Sequence, residues 1–167
     1  MKVTVISSGS KGNSTLVETK SKNILIDAGI SSKEIKKRLN KDINIDLLFI
    51  THAHIDHIKG LKSVYKEFKP TVFTRNEEVI EKNICDITYF DKPYILDDLE
   101  VSYFNLSHDS DCIGIKIKEN NKTEKHEWMP EELYRISCNS LTLALIARHA
   151  IRLAMEGDEN KYLTDKI

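Results

Sequence analysis

The most distinctive segment of the chain is Thr51-His52-Ala53-His54-Ile55-Asp56-His57, in which three imidazoles and a carboxylate lie within six residues. His and Asp side chains are costly to bury without partners, so this density of donors favours a metal site over ordinary loop histidines. The preceding residues 45–50 form a short apolar run of the kind that builds a buried strand. After the motif, apolar residues recur at helical spacing from Ile58 to Phe68. The histidines are therefore predicted to lie on a turn between a strand and a helix.

The spacing within the motif predicts two neighbouring metal positions. His52 and His54, two residues apart, can leave the strand end on the same side, whereas Asp56 and His57 turn toward a second position. Imidazole nitrogen suits zinc, and a carboxylate beside it suits zinc, manganese or iron. We therefore expect a centre of two zinc ions, with manganese or iron as the alternatives.

The motif from His52 to His57 resembles the signature of the metallo-β-lactamase fold superfamily. Three more stretches resemble its YycJ-like branch, whose members are thought to be exonuclease-like phosphodiesterases. They are Ser-Ser-Gly-Ser-Lys-Gly-Asn-Ser-Thr at 7–15, Leu-Ile-Asp-Ala-Gly at 25–29 and Ser-His-Asp-Ser-Asp-Cys-Ile-Gly at 107–114. The resemblance covers about residues 1–120 and implies an α+β fold, the αββα sandwich of the superfamily.

The resemblance also implies a hydrolase that uses a metal-bound hydroxide, with Asp56 and His57 as its catalytic residues. His108, which follows a predicted strand, would be the third ligand of the first ion. Asp165, in Thr164-Asp165, would bridge the two ions. The implied ligands are His52, His54 and His108 for the first ion and Asp56, His57 and Asp165 for the second.

Two further groups of residues surround these ligands in the resembled family. Asp27 would orient the metal-binding turn, and Asp109 would support His108. In the loop of residues 7–13, the glycines let backbone amides approach a ligand and the polar side chains suit phosphate oxygens. A plain flexible turn is the alternative for this loop. Its expected substrate-binding residues are Ser8, Ser10, Lys11 and Asn13.

Beyond about residue 120 the sequence departs from the family pattern. Residues 122–160 are predicted to be a helical insertion, with an apolar stripe from Leu133 to Ala154. The late histidine of the family's second site has no counterpart, since Asp165 is followed by Lys166-Ile167 alone. We expect one domain over residues 1–167, a sandwich incomplete in its C-terminal half. The insertion would cover the exposed sheet face, within the chain or across a homodimer.

Composition narrows the class of protein only slightly. The 167 residues suffice for one sizeable core, and a net charge of −1 gives no basic field that would by itself indicate nucleic acid. The cysteines Cys85, Cys112 and Cys138 show no paired metal spacing and are expected to be reduced thiols of a cytoplasmic protein. No apolar run is long enough to span a membrane.

Three functions follow from these features. The leading one is a phosphodiesterase or nuclease that acts on nucleic acid or nucleotides. Thioester or lactam hydrolysis would use the same hydroxide on a carbonyl, but the Ser/Gly/Lys loop suits phosphate better. The third is a remodelled metal-binding protein with little activity, which the absent late histidine and the insertion favour.

Overall fold

The computed structural model describes residues 1–106 and 111–119, which form two β-sheets and four helices. The first sheet has six strands and the second has three. The strands are β1 (Lys2–Ser7), β2 (Ser14–Glu18), β3 (Asn23–Ile26), β4 (Leu47–Ile50), β5 (Thr71–Thr74), β6 (Ile87–Tyr89), β7 (Tyr94–Leu96), β8 (Leu99–Leu106) and β9 (Cys112–Glu119). The helices are α1 (Ser32–Leu39), α2 (Ile55–Ile58), α3 (Leu61–Phe68) and α4 (Glu77–Glu81).

The topology of the six-stranded sheet brings the functional loops to one edge. Its order is β1-β2-β3-β4-β5-β6, antiparallel up to β3 and parallel from β3 to β6. Ile26 pairs with Phe49, and Ile50 pairs with Thr74. Because parallel strands end at the same edge of a sheet, the residues that follow β3, β4 and β5 lie side by side.

Alternate residues of the central strands enter two separate cores. In β4, Leu48 and Ile50 pack on the helix side with residues of α3, whereas Leu47 and Phe49 face the three-stranded sheet. All four side chains are buried, as expected for a strand covered on both faces. The layers are therefore helices, six-stranded sheet and three-stranded sheet, which confirms the predicted α+β sandwich. The expected insertion at 122–160 lies outside the described residues.

The single helix predicted after the metal-binding motif is wrong, because the chain forms two helices, α2 and α3, interrupted at Gly60. The Gly60 amide donates a hydrogen bond of 2.7 Å to the Ala28 carbonyl, outside the helix. A Cβ at this position would lie 1.9 Å from the Ile30 carbonyl oxygen. The close approach of two backbone segments therefore requires glycine here.

Thr74 and Glu77 have the spacing of a helix cap, so the sequence predicts Thr74 as the cap of the next helix, and this prediction is also wrong. α4 begins at Glu77, and Asn76, rather than Thr74, caps it by accepting a hydrogen bond of 3.1 Å from the Val79 amide. The Thr74 hydroxyl instead donates to the Ile50 carbonyl at 3.0 Å. By contrast, Ser31 and Glu34 also have the spacing of a cap, and the cap that this predicts for α1 is confirmed, since Ser31 Oγ accepts from the Glu34 amide.

The expectation of three reduced cysteines is wrong for Cys112, which is disulfide-bonded, while Cys85 is a free thiol. Cys138 lies outside the described residues. None of the helices within 1–106 and 111–119 has the length and apolar character needed to cross a membrane.

Candidate metal centre

Residues 51–57, termed the metal turn, leave the C-terminal end of β4 and enter α2. His52 and His57 are buried, and His54 is half-buried. The backbone of His54 is extended, and α2 begins at the next residue, Ile55. The ring centroids of His52 and His54 are 4.6 Å apart, and those of His52 and His57 are 4.0 Å apart. The turn therefore brings its imidazoles into one cluster between β4 and α2, which is the strand-to-helix connection that the sequence predicts.

A buried carboxylate, Asp27, lies at the centre of the contacts behind this cluster. Asp27 follows β3 with a left-handed backbone (φ 60°), a conformation that Asp tolerates better than most residues. Its Oδ1 accepts the Thr51 amide at 2.9 Å, and its Oδ2 lies 2.7 Å from His57 Nδ1. The structure thus places Asp27 where the sequence analysis expected a residue that orients the metal turn.

The Thr51 hydroxyl links Asp27 to His52 by hydrogen bonds. Thr51 Oγ1 lies 3.0 Å from both carboxylate oxygens of Asp27 and 3.0 Å from His52 Nδ1. A hydroxyl has one proton, which goes to the carboxylate, so His52 Nδ1 is the donor to Thr51. His57 Nδ1 likewise donates to Asp27. In both neutral rings Nε2 then carries the lone pair, which is the form that binds a metal ion.

The pKa of His57 reflects its surroundings. Burial by itself lowers the pKa of this imidazole, but the hydrogen bond to Asp27 and the charges of Asp27 and Asp56 outweigh that effect and raise it above its usual value. A proton and a metal ion therefore compete for the same ring nitrogen, Nε2.

Asn13, predicted to bind substrate, instead reaches the ligand pair at the end of the turn. Its Nδ2 donates to Asp56 Oδ2 at 2.7 Å and lies 3.0 Å from His57 Nε2. The Asn13 amide also donates to the Asp56 carbonyl at 2.7 Å, and the side chain is buried. These contacts indicate that Asn13 positions Asp56, so its predicted role in substrate binding has no support from the geometry.

The loop of residues 7–13 uses its backbone amides within the protein. The Gly9 amide donates to Asn13 Oδ1 at 2.9 Å, and the Gly12 amide donates to the Gly9 carbonyl at 2.9 Å. The expectation that the glycine amides face a ligand is therefore wrong for Gly9 and Gly12. Ser8, Ser10 and Lys11 are exposed, which leaves their side chains accessible to a substrate.

The donor set fits a metal ion in its chemistry but is incomplete among the described residues. Within 1–106 and 111–119, no three His, Cys, Asp or Glu side chains lie close enough together to hold a metal ion. Two imidazoles nevertheless have Nε2 in the ligand form, and Asp56 Oδ2 lies 3.6 Å from His57 Nε2. A complete centre needs a donor from elsewhere in the chain. The predicted residues His108, Asp109 and Asp165 lie outside the described residues.

The roles of Thr51 and Asn13 as positioning residues are absent from the sequence interpretation. A short hydroxyl residue directly before the first histidine was the available signal for Thr51. For Asn13 the sequence offered only a polar residue after a glycine, since the contact with Asp56 spans 43 residues of chain.

Comparison with known proteins agrees with this geometry. Residues 8–85 match the family model described as the metallo-beta-lactamase superfamily. The exodeoxyribonuclease WalJ of Streptococcus pneumoniae serotype 2 is 30% identical over 125 residues, which cover 65% of this chain and 46% of WalJ. The exodeoxyribonuclease YycJ of Bacillus anthracis is 33% identical over 120 residues, covering 64% and 45%. The chain therefore spans about half the length of the curated relatives it matches.

Solved structures of similar fold include the metallo-beta-lactamase fold protein YhfI from Bacillus subtilis. It superimposes with a TM-score of 0.54 at 18% identity, over 70% of this chain and 57% of YhfI. At this level of identity the likeness concerns the fold alone.

Proposed function

We propose that the chain, whose residues 8–85 match the metallo-beta-lactamase superfamily model, is a metal-dependent phosphodiesterase or nuclease that acts on nucleic acid or nucleotides. The observation that carries the proposal is the hydrogen-bond network of Asp27. The Asp27 carboxylate contacts His57 directly, and it reaches His52 through the Thr51 hydroxyl. This network fixes two imidazoles in their ligand form. The exodeoxyribonuclease names of the relatives support nucleic acid as the substrate class.

The proposed ligands combine the metal turn with residues beyond it. The amide of Ile113, in β9, donates to the Thr51 carbonyl at 3.2 Å, so β9 begins beside the turn. His108 precedes β9 by only a few residues, which supports it as a third nitrogen donor. When bound, zinc or a similar ion would supply activation of water and polarisation of a phosphoryl oxygen. We propose His52, His54 and His108 for the first ion and Asp56, His57 and Asp165 for the second.

The protein residues would then orient the reacting groups. Asn13 holds one carboxylate oxygen of Asp56 at 2.7 Å, which leaves the other oxygen for the metal position. The exposed Ser8, Ser10 and Lys11 form a polar rim on the loop that packs against the metal turn. Hydroxyl and ammonium donors on such a rim suit the non-bridging oxygens of a phosphodiester.

The test is the variant Asp56→Asn assayed on a generic phosphodiester and on single-stranded DNA, with added zinc or manganese. An Asn here keeps an oxygen that accepts from Asn13, so circular dichroism should remain nearly unchanged. Loss of the carboxylate should lower the rate on the order of a hundredfold or more. The exposed Asp91→Asn serves as the control for removing one negative charge.

Each outcome discriminates between functions. Equal activity of Asp56→Asn would contradict the use of a second ion. Activity of the parent protein on thioesters or lactams but on no phosphodiester would favour the carbonyl chemistry instead. Zinc, iron or manganese bound at a full equivalent, with no hydrolysis at all, would favour a metal-binding protein of little activity.

A further inference from the structure

Arg75 lies next to the metal turn, at the same edge of the six-stranded sheet. Thr74 of β5 pairs with Ile50 of β4 in parallel register, so the residues that follow them, Arg75 and Thr51, are neighbours. Adjacent strands are about 4.8 Å apart, which places the two backbones within one strand spacing of each other. Arg75 therefore belongs to the surroundings of the proposed centre, although no sequence motif includes it.

Two tyrosines hold the guanidinium of Arg75. Its Cζ lies 4.3 Å from the ring centroid of Tyr103 and 5.6 Å from that of Tyr89. Arg75 Nη1 also donates a hydrogen bond to the Tyr103 hydroxyl. Tyr103 in turn packs edge-on against the buried Phe90, with ring centroids 5.3 Å apart. The guanidinium is therefore positioned by contacts that reach into the core between the sheets.

The charge of Arg75 is not neutralised by these contacts. In the part of the chain that the structure describes, Arg75 forms no ion pair with a carboxylate, and its contacts are with neutral rings and a hydroxyl. A guanidinium has five N–H donors, and its planar shape matches the oxygens of a phosphate. Beside it, the Tyr89 side chain is 45% exposed. An exposed ring next to a positioned cation is suited to stack on a nucleobase.

We propose that Arg75, Tyr89 and Tyr103, termed the arginine–tyrosine subsite, bind the nucleotide adjacent to the one that is cleaved. Arg75 contacts its phosphate, Tyr89 stacks on its base, and Tyr103 positions Arg75. The subsite selects single-stranded nucleic acid, because both faces of a base inside a duplex are stacked on its neighbours and leave no face free for Tyr89. This inference rests on the proposed function and specifies its substrate further.

The experiment measures binding of a fluorescein-labelled single-stranded oligothymidylate with phosphorothioate linkages to the full chain, by fluorescence anisotropy. Arg75→Ala and Tyr89→Ala should each raise Kd about tenfold. Arg75→Ala should also reduce the salt dependence of log Kd by about one unit of slope. Tyr89→Phe keeps the ring and should bind as the parent does. Lys66→Ala removes an exposed positive charge from α3 and should change Kd less than about twofold.

A purely structural role for Arg75 predicts a different result. Arg75→Ala and Tyr103→Phe would then lower the melting temperature and leave Kd of the folded protein unchanged, which would overturn the subsite. Equal affinity of the parent for the single strand and for its duplex would overturn the claimed selectivity.

Failure of the subsite and failure of the proposed function are separable. If Asp56→Asn abolishes hydrolysis but Arg75→Ala and Tyr89→Ala leave Kd for the oligothymidylate unchanged, the subsite is wrong and the proposed function stands. Binding that depends on Arg75 and Tyr89, without hydrolysis of any phosphodiester, would support the subsite and contradict the catalytic proposal. Absence of both activities would contradict both.

Discussion

At the scale of single residues, Asp27 has the largest predicted effect on metal binding. Its carboxylate contacts Thr51 and His57, and through the Thr51 hydroxyl it fixes the ring of His52. We expect Asp27→Asn to weaken zinc binding by about ten- to a hundredfold, because an amide cannot accept from all of these donors. Zinc titration with a fluorescent competitor measures the change. Asp42→Asn, an exposed position, is the matched control, and equal zinc affinity of the two variants would contradict this role for Asp27.

The raised pKa of His57 predicts a pH dependence of the metal-free protein. Folding raises this pKa above its value near 6.5 in the unfolded chain, so the folded state binds the proton more tightly. The resulting stabilisation is fully present below the unfolded pKa and is lost as pH rises through the folded pKa. Urea unfolding in the presence of a chelator should therefore show a free energy of unfolding that falls from about pH 6.5 upward.

Deprotonation of His57 has the opposite effect on zinc binding. The affinity of the protein for zinc should rise from about pH 6.5 upward, because the proton leaves His57 Nε2. Asp27→Asn removes the main cause of the raised pKa and should flatten the stability curve. A free energy of unfolding that increases with pH in the chelated parent protein would show that burial, rather than Asp27, governs His57.

At the scale of elements, Gly29 joins the loop of residues 7–13 to the metal turn. Its amide donates to the Asn13 carbonyl at 2.9 Å, and a Cβ there would lie 1.8 Å from the Asp56 carbonyl oxygen. Gly29→Ala must therefore separate these segments, and we expect a loss of about 3 kcal/mol in the free energy of unfolding. Gly9→Ala is the comparison, since that position has open space and only a positive φ of 105°. It should cost about 1–2 kcal/mol.

Chemical denaturation of the two alanine variants measures this difference. If Gly29→Ala were as mild as Gly9→Ala, the backbone contact between the loop and the metal turn would not hold the site together. A Gly29→Ala protein that folds should also lose zinc affinity, because the Asn13 contact with Asp56 depends on the same approach.

At the scale of the whole molecule, the apolar stripe predicted from Leu133 to Ala154 lies outside the described residues and stays a sequence prediction. The four Leu and Ile side chains of the stripe, at 133, 136, 143 and 151, would contribute on the order of 10 kcal/mol when buried, so they should not face water. On the three-stranded sheet, Ile95 is 70% exposed. We propose that the helical segment covers this sheet, within the chain or across a homodimer.

Leu143→Glu combined with Ile151→Glu tests this arrangement. The double variant should aggregate, unfold, or change its oligomeric state in light scattering, because charge on the stripe prevents its burial. The control is Lys122→Glu, at the beginning of the segment and outside the stripe. A double variant with unchanged mass and melting temperature would show that the segment is a solvated appendage.

The residue pattern alone predicts the buried strand before the metal turn and the turn that carries the histidines, whereas the sandwich follows from the resemblance of the motifs to the superfamily. The short apolar run of residues 45–50 favours a buried strand, and the spacing from His52 to His57 leaves the donors on one short turn. Local preferences and short-range periodicity suffice for the strand and the turn. They also predict strands over 14–18, 23–26 and 71–74 and a helix over about 32–39, which are the bounds of β2, β3, β5 and α1 in the structure.

The groups that surround the histidines, by contrast, depend on the tertiary structure. Asn13 contacts Asp56, Asp27 contacts His57, and Arg75 lies beside Thr51, through separations of 24 to 43 residues along the chain. Parallel pairing of β3, β4 and β5 brings these positions to one sheet edge, and no local pattern encodes that register. The interruption of the helix at Gly60 has the same origin, because a distant carbonyl at Ile30 occupies the space that a side chain would need.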